Sequence, residues 1–243
     1  MRRILLHYHL FKNAGTSVDA FLRDAFCANW ATCEFEDHPT RNASAIAEWI
    51  SQNPTVSCLS THTVFGPLPE VPGVEVIPII FLRHPIDRIG SAYRFECFQK
   101  SNSYGARLAK KVDFSGYVRA RLLRSGDRQC RNFQVHRLAS FTTGPSEELS
   151  RAIVSLNKFA LVGIVEDFNR SMQRLEELLS CNGFPVSPAT RIRKNVSNQK
   201  VKTFLPPSEM AQLLQENQND LTLWKVARAR NRAAHSQDDQ RSA

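Results

Sequence analysis

The chain has 243 residues, 42% of them hydrophobic, and carries 32 Lys and Arg against 23 Asp and Glu, a formal charge of +9. That length and apolar content fit one large α/β domain with ample core and exclude a disordered or fibrous chain, while the charge points to a partner or substrate that is itself anionic. The six cysteines are scattered without a C-x-x-C pair or a histidine at zinc spacing, the apolar start is broken by His7, Tyr8, His9 and Lys12, and no stretch approaches a membrane span, so reduced thiols, no signal peptide and a cytoplasmic location are expected.

In chain order, Ile4, Leu5 and Leu6 predict a buried strand, and Val18, Ala20, Phe21 and Leu22 predict a helix over residues 16–26. Between them lies Lys12-Asn13-Ala14-Gly15-Thr16-Ser17, one cation, one glycine and two hydroxyls at a helix start. Unpartnered N–H groups and the positive end of the helix dipole make such a turn a cradle for an anion, with Gly15 allowing close backbone approach. A nucleoside triphosphate loop needs G-x-x-x-x-G-K-[ST]. Here Lys12 precedes Gly15 by three residues and no glycine precedes Lys12, so the turn is too short to wrap a β,γ-phosphate pair.

Ala43, Ile46, Ala47 and Ile50 repeat at helical spacing and are stopped by Asn53-Pro54. A short strand over 55–59 ends in Ser60-Thr61-His62. A nearly continuous apolar run over 74–82 suits a central parallel strand, with Pro78 implying a bend or an edge within it. This run ends at Arg83, and Pro85 at a first helical position opens the next helix. Arg83 thereby stands at the carboxyl end of a strand, where open α/β sheets bind ligands, and Ser91 leans back toward the same crevice from two turns along the helix.

Downstream the chain reads as mostly helical. Asp113 caps a helix through Arg124, residues 131–141 form another, and Arg119, Arg121, Arg124, Arg128 and Arg131 read either as a solvated basic face or as ligand contacts. A helix over Leu149, Ile153, Val154 and Leu156 precedes a strand over 159–165, and Met172, Leu175, Leu178 and Leu179 form a core stripe. Residues 191–200 form a basic loop, a long helix starts near Ser208, and the polar tail 235–243 is expected to be disordered, leaving a single domain over 1–234.

Two of these segments are similar to the binding motifs of sulfotransferases that use 3′-phosphoadenosine 5′-phosphosulfate (PAPS). Lys12-x-x-Gly15-Thr16-Ser17 resembles their 5′-phosphosulfate loop, and Arg83-x-Pro85-x-x-Arg88-x-x-Ser91-x-Tyr93 resembles their 3′-phosphate motif. The strand at VGIVEDF resembles the carbohydrate branch of that family. The resemblance implies an α/β, P-loop-like three-layer fold with a mostly parallel central sheet, PAPS as sulfuryl donor and no required metal. It implies that Lys12, Asn13, Ala14, Gly15, Thr16, Ser17, Arg83 and Ser91 bind the donor, and that a basic loop with Arg193, Lys194 and Asn195 closes over it. Phe11 stands where the family often has proline, Asn13-Ala14 replaces a more usual Thr-Gly, and no membrane anchor is present, which implies a bacterial-type member. An acceptor such as an anionic glycan or a glycolipid is expected, and nucleic acid is not. A nucleotide kinase and a basic polyanion-binding module are the rival readings.

Seven histidines are available as a base: His7, His9, His38, His62, His84, His136 and His235. His7 and His9 read as hydrogen-bonded sheet residues, and His62 alone directly follows a strand end. It resembles the strand-end histidine that serves as general base in the glycosaminoglycan branch, and imidazole suits proton abstraction near neutral pH. Glu96 and Glu166 are the alternatives.

Overall fold

In the computed structural model, which describes residues 1–36, 38, 41–186 and 201–241, and side chains to 233, one sheet organises the chain. Its five strands are β1 (Arg2–Tyr8), β2 (Trp30–Thr32), β3 (Cys58–Thr61), β4 (Val74–Leu82) and β5 (Leu161–Ile164), all parallel in the order β2-β3-β1-β4-β5. Parallel neighbours need crossovers, and helices supply them: α1 (Gly15–Phe26), α2 (Asn42–Gln52) and α3 (Pro85–Phe98), then α4 (Tyr104–Ala109), α5 (Phe114–Leu122), α6 (Phe133–Ala139) and α7 (Glu148–Ser155), and finally α8 (Phe168–Cys181), α9 (Pro207–Glu216) and α10 (Gln218–Arg241). The expected three-layer α/β architecture is present.

Side-chain alternation along each strand decides the layers. Ile4, Leu6 and Tyr8 of β1 and Ile80 and Leu82 of β4 pack with α2, α6, α7 and α10, whereas Leu5, Ile77, Ile79 and Phe81 face α1 and α8. His7 therefore emerges on the α1 side. Pro78 pairs with Leu6 on β1 and lies at an edge of the sheet on its other side, one of the two expected alternatives, because β5 begins pairing only at Ile79. Its carbonyl accepts from Ala160 N–H on the β5 side, so the N–H that proline lacks would point to a stretch where β5 has not begun.

Two expectations need correction. Residues 30–32 form an unexpected edge strand, at three residues too short to show a period. The long final helix is broken at Asn217, whose amide donates to Cys130 and Leu213 carbonyls while its oxygen accepts from Asn132 N–H. The last helix, α10, runs from Gln218 to Arg241. Among the described residues no helix is long and apolar enough to cross a membrane, and all six cysteines are unpaired thiols.

The carboxyl ends of β3, β1 and β4 lie side by side, and one buried side chain ties two of them together. Gln134 of α6 accepts from Asn13 Nδ2 at 2.8 Å and from Arg83 N–H at 3.0 Å, and its own amide donates to Arg83 O at 2.8 Å. Asp220 in turn fixes α6 by accepting from the N–H groups of Gln134 and Val135. Gln134→Ala leaves these buried partners unsatisfied, a loss of about 2–4 kcal/mol and a fall of roughly 5–15 °C in Tm. Thermal denaturation of this variant beside an exposed control such as Gln52→Ala measures it; equal midpoints would show that the bridge contributes nothing.

Candidate functional site

The turn after β1 uses a backbone that its residues rarely adopt. Lys12 and Ala14 have φ of 64° and 62°, in the left-handed region, and such strain concentrates at ligand-binding loops. Asn13 lies between them with both donors engaged, N–H on Leu10 O and Nδ2 on Phe81 O and Gln134, so its side chain anchors the turn rather than offering a contact. The next three N–H groups, of Ala14, Gly15 and Thr16, have no partner among the described residues, the first in-helix bonds being those of Ser17 and Val18 to Ala14 O. These are donors at a helix N-terminus, as an anion requires. Thr16 is exposed and Ser17 buried. Gly15 is needed for another reason than expected: a Cβ there would stand 2.0 Å from Cδ2 of His9, so the imidazole itself occupies that space.

Three cations gather beside these donors. Arg83 reaches Lys12 O through Nη1 at 3.3 Å, and its buried Nε has no partner among the described residues. The Lys12 ammonium lies 4.4 Å from the centre of the Phe95 ring, with no carboxylate ion-paired to it among the described residues. Burial lowers its pKa, and the charges of Arg83 and Arg94 lower it further. Burial lowers that of Arg83 too, partly offset by Asp87 and Glu166. Arg94, held by Thr203 Oγ1 at 3.2 Å, was not anticipated; its signal in the sequence was a spacing of three from Ser91, which puts both on one face of α3. Ser91 is half-buried with a hydroxyl that has no partner among the described residues. Arg88 and Tyr93 are structural instead: Arg88 is fully buried against Phe133 and the Gln129 carbonyl, and Tyr93 donates to Val112 O. Arg193, Lys194 and Asn195 lie outside the described residues.

On the other side of the turn stands an imidazole cluster. Asp19 of α1 accepts from His7 Nδ1 at 2.7 Å and from His9 Nδ1 at 2.6 Å. Burial alone would raise the Asp19 pKa, but those hydrogen bonds and the neighbouring imidazole charges reverse the shift, so it lies well below the usual carboxylate range. His9 goes down because it is buried, and Asp19 only partly restores it. His9 lies against His62 with ring centroids 4.1 Å apart and the ring planes tilted by 35°, and His62 Nδ1 is hydrogen-bonded to Glu34. His7 is a paired sheet residue as expected, whereas His9 lies beyond the strand end and faces the turn. Ligand-type atoms of His9, Asp19 and His62 come within 4.8 Å of one another. The alternative bases are both engaged: buried Glu96 accepts from Tyr117 and Arg121, and Glu166 from His84 N–H and Trp224 Nε1.

The arginines after α4 are not a plain solvated face. Arg121 is buried between Glu96 and Asp127, and Arg131 pairs with Glu216 at 2.6 Å. Arg121, Arg124, Arg128, His136 and Arg137, with the rings of Phe65 and Phe133, line a cleft of about 790 Å³. This cleft adjoins α6, whose Gln134 holds the Lys12 turn, and Phe65, three residues beyond His62.

Residues 3–226 match the sulfotransferase family. The chain is also 34% identical over 242 aligned residues, covering 92% of this chain and 95% of the relative, to an uncharacterized protein of Archaeoglobus fulgidus. With the parallel sheet and the motif-bearing turns in place, a match over nearly the whole chain decides the assignment: this protein belongs to the sulfotransferase family.

Proposed function

We propose that the protein moves a sulfuryl group from PAPS to a hydroxyl of an anionic acceptor, with a carbohydrate as the favoured class. The observation that carries this reading is the meeting of Lys12, Arg83 and Arg94 beside the open N–H groups of Ala14, Gly15 and Thr16, where no acidic side chain ion-pairs with Lys12 among the described residues. Three cations crowded together, none of them in a salt bridge among the described residues, fit a ligand bearing two separated phosphate-type groups. The turn would hold the 5′-phosphosulfate and Arg83 with Ser91 the 3′-phosphate. The donor supplies a sulfuryl group whose acceptance by an oxygen leaves 3′-phosphoadenosine 5′-phosphate. Lys12 places a cation where the leaving phosphate oxygen gains charge, and His62 takes the proton of the attacking hydroxyl.

The cleft beside α6 supports an acidic acceptor, since its Arg124 has no carboxylate partner among the described residues, while Arg121 and Arg128 are already ion-paired, and a guanidinium fork matches carboxylate and sulfate groups. A kinase reading is disfavoured by the missing lysine before the helix-start hydroxyl and by Asn13 turning inward. A purely electrostatic polyanion module has no use for a buried, unpartnered Arg83 Nε.

Thermal shift separates these readings: 3′-phosphoadenosine 5′-phosphate should stabilise the protein more than ATP-magnesium or heparin, and a larger shift with ATP-magnesium would overturn the donor assignment. Arg83→Ala should weaken 3′-phosphoadenosine 5′-phosphate at least ten-fold and adenosine 5′-phosphosulfate hardly at all; parallel losses would make Arg83 structural.

Lys12→Ala should lower kcat far more than donor affinity, because its contact strengthens as charge develops on the leaving oxygen. Since the free ammonium has a pKa below its ordinary 10.5, affinity for 3′-phosphoadenosine 5′-phosphate should decline with rising pH before a free lysine would deprotonate. The sign follows because the anion binds the protonated form. Calorimetry against pH checks it, and Lys12→Arg should flatten the alkaline limb. Arg124→Ala combined with Arg128→Ala should raise KM for an acidic acceptor several-fold and leave that for PAPS unchanged, which steady-state kinetics at two salt concentrations would measure.

A further inference from the structure

Because β2 and β3 are neighbours, the residues just past their ends meet. Cys33 N–H donates to Ser60 O at 3.2 Å, and the next residue, Glu34, turns its carboxylate onto the residues after β3. It accepts from the backbone N–H of His62 at 3.2 Å, from Thr63 Oγ1 at 3.1 Å, and from Nδ1 of the His62 ring. Phe35 N–H adds a bond to Thr63 Oγ1 at 3.2 Å, which fixes the strand-end turn from a second residue of the same segment. The face of the His62 ring is covered by His9, 4.1 Å away, which Asp19 holds through Nδ1 with His7 behind it. Glu34 and His9 are thus the titratable groups in direct contact with His62, with Asp19 and His7 in the next rank.

We propose that Glu34 is the positioning residue of the His62 base, holding the Nδ1 proton so that the Nε2 lone pair is the one presented to the acceptor. The proposal rests on the reading of His62 as base. A carboxylate can only accept, so the ring in contact with it carries its proton on Nδ1, and the hydrogen bond made by one ring nitrogen determines the role of the other. In the transfer step the acceptor oxygen forms its bond to sulfur while the sulfur–oxygen bond to the 5′-phosphate breaks and its electron pair passes to that phosphate. The hydroxyl proton goes to Nε2 of His62. The imidazolium so formed has a carboxylate at Nδ1 and the His9 ring against its face. Glu34 does not itself take a proton and does not touch the reacting atoms. Its contribution is orientation, tautomer and a counter-charge that is present before the reaction begins.

The ¹⁵N spectrum of the His62 ring, identified by its loss in His62→Ala, tests this without turnover. Wild-type protein should show the Nδ1–H tautomer, and Glu34→Ala should move the ring toward the Nε2–H form that free neutral imidazole prefers. In kinetics, Glu34→Ala and Glu34→Gln should lower kcat by about 10–100-fold, the size of effect that carboxylates orienting metal-bound histidines have, with the KM for PAPS and the melting point unchanged and Glu34→Asp recovering part of the loss. An Nε2–H wild-type ring, or Glu34→Ala retaining full kcat while His62→Ala has none, would overturn the positioning role. Full activity in His62→Ala would instead remove the base reading, whatever tautomer the wild-type ring shows.

Discussion

The amide of Gln134 is the contact on which the rest of the site depends. It lies fully buried between the turn that carries the open N–H groups of Ala14, Gly15 and Thr16 and the strand end that carries Arg83, and it bonds to both at 2.8–3.0 Å. Without it, the buried amide of Asn13 would keep only its bond to Phe81 O, and the left-handed backbone at Lys12 and Ala14 would lose part of the anchor between them. Strained turns persist only where their surroundings over-determine them. Here the surroundings include α6, which is capped by Asp220 of α10 through the N–H groups of Gln134 and Val135. A residue near the end of the chain therefore holds in place a helix that holds the first loop.

The same economy governs the histidines. Strand alternation sends His7 to the α1 face, where Asp19 waits one turn into the helix, and the turn then folds His9 back over Gly15 to the second oxygen of the same carboxylate. A glycine expected to admit a ligand is occupied by a side chain from its own chain. The imidazole of His9 thus joins the donor turn to the His62 end of β3, so the three neighbouring strand ends form one connected surface: Glu34 and His62, then His9 and Lys12, then Arg83 and Arg94.

The sheet was legible because buried parallel strands carry continuous apolar runs, and 74–82 matches β4 residue for residue. The places of Arg83 and His62 at strand ends were legible because each directly follows its strand, and that of Lys12 because it lies in the short turn between β1 and α1. Asp19, Glu34, Arg94 and Gln134 were not, because their roles arise from contacts between segments distant in sequence, and each by itself reads as an ordinary polar residue of a helix or loop. Asn13 shows the converse: its place in a motif predicted a ligand contact, but burial and two carbonyl-type acceptors turn it inward. The arginines of 119–131 were ambiguous for a similar reason, since only the fold reveals which of them meet Glu96, Asp127 and Glu216 and which line a cleft.

Cations on one side, an imidazole–carboxylate pair on the other and a basic cleft beyond the adjoining helix fit the proposed passage of a sulfuryl group from a phosphate-rich donor to an acidic acceptor. The most direct measurement is incubation with PAPS carrying ³⁵S, in the presence of a panel of acidic and neutral polysaccharides, with acceptor label and free nucleotide counted together. The account predicts label on an acidic polysaccharide in a one-to-one ratio with 3′-phosphoadenosine 5′-phosphate, and none with Lys12→Ala. Retention of all label on the nucleotide, alongside phosphate transfer from γ-labelled ATP to the same panel, would contradict it.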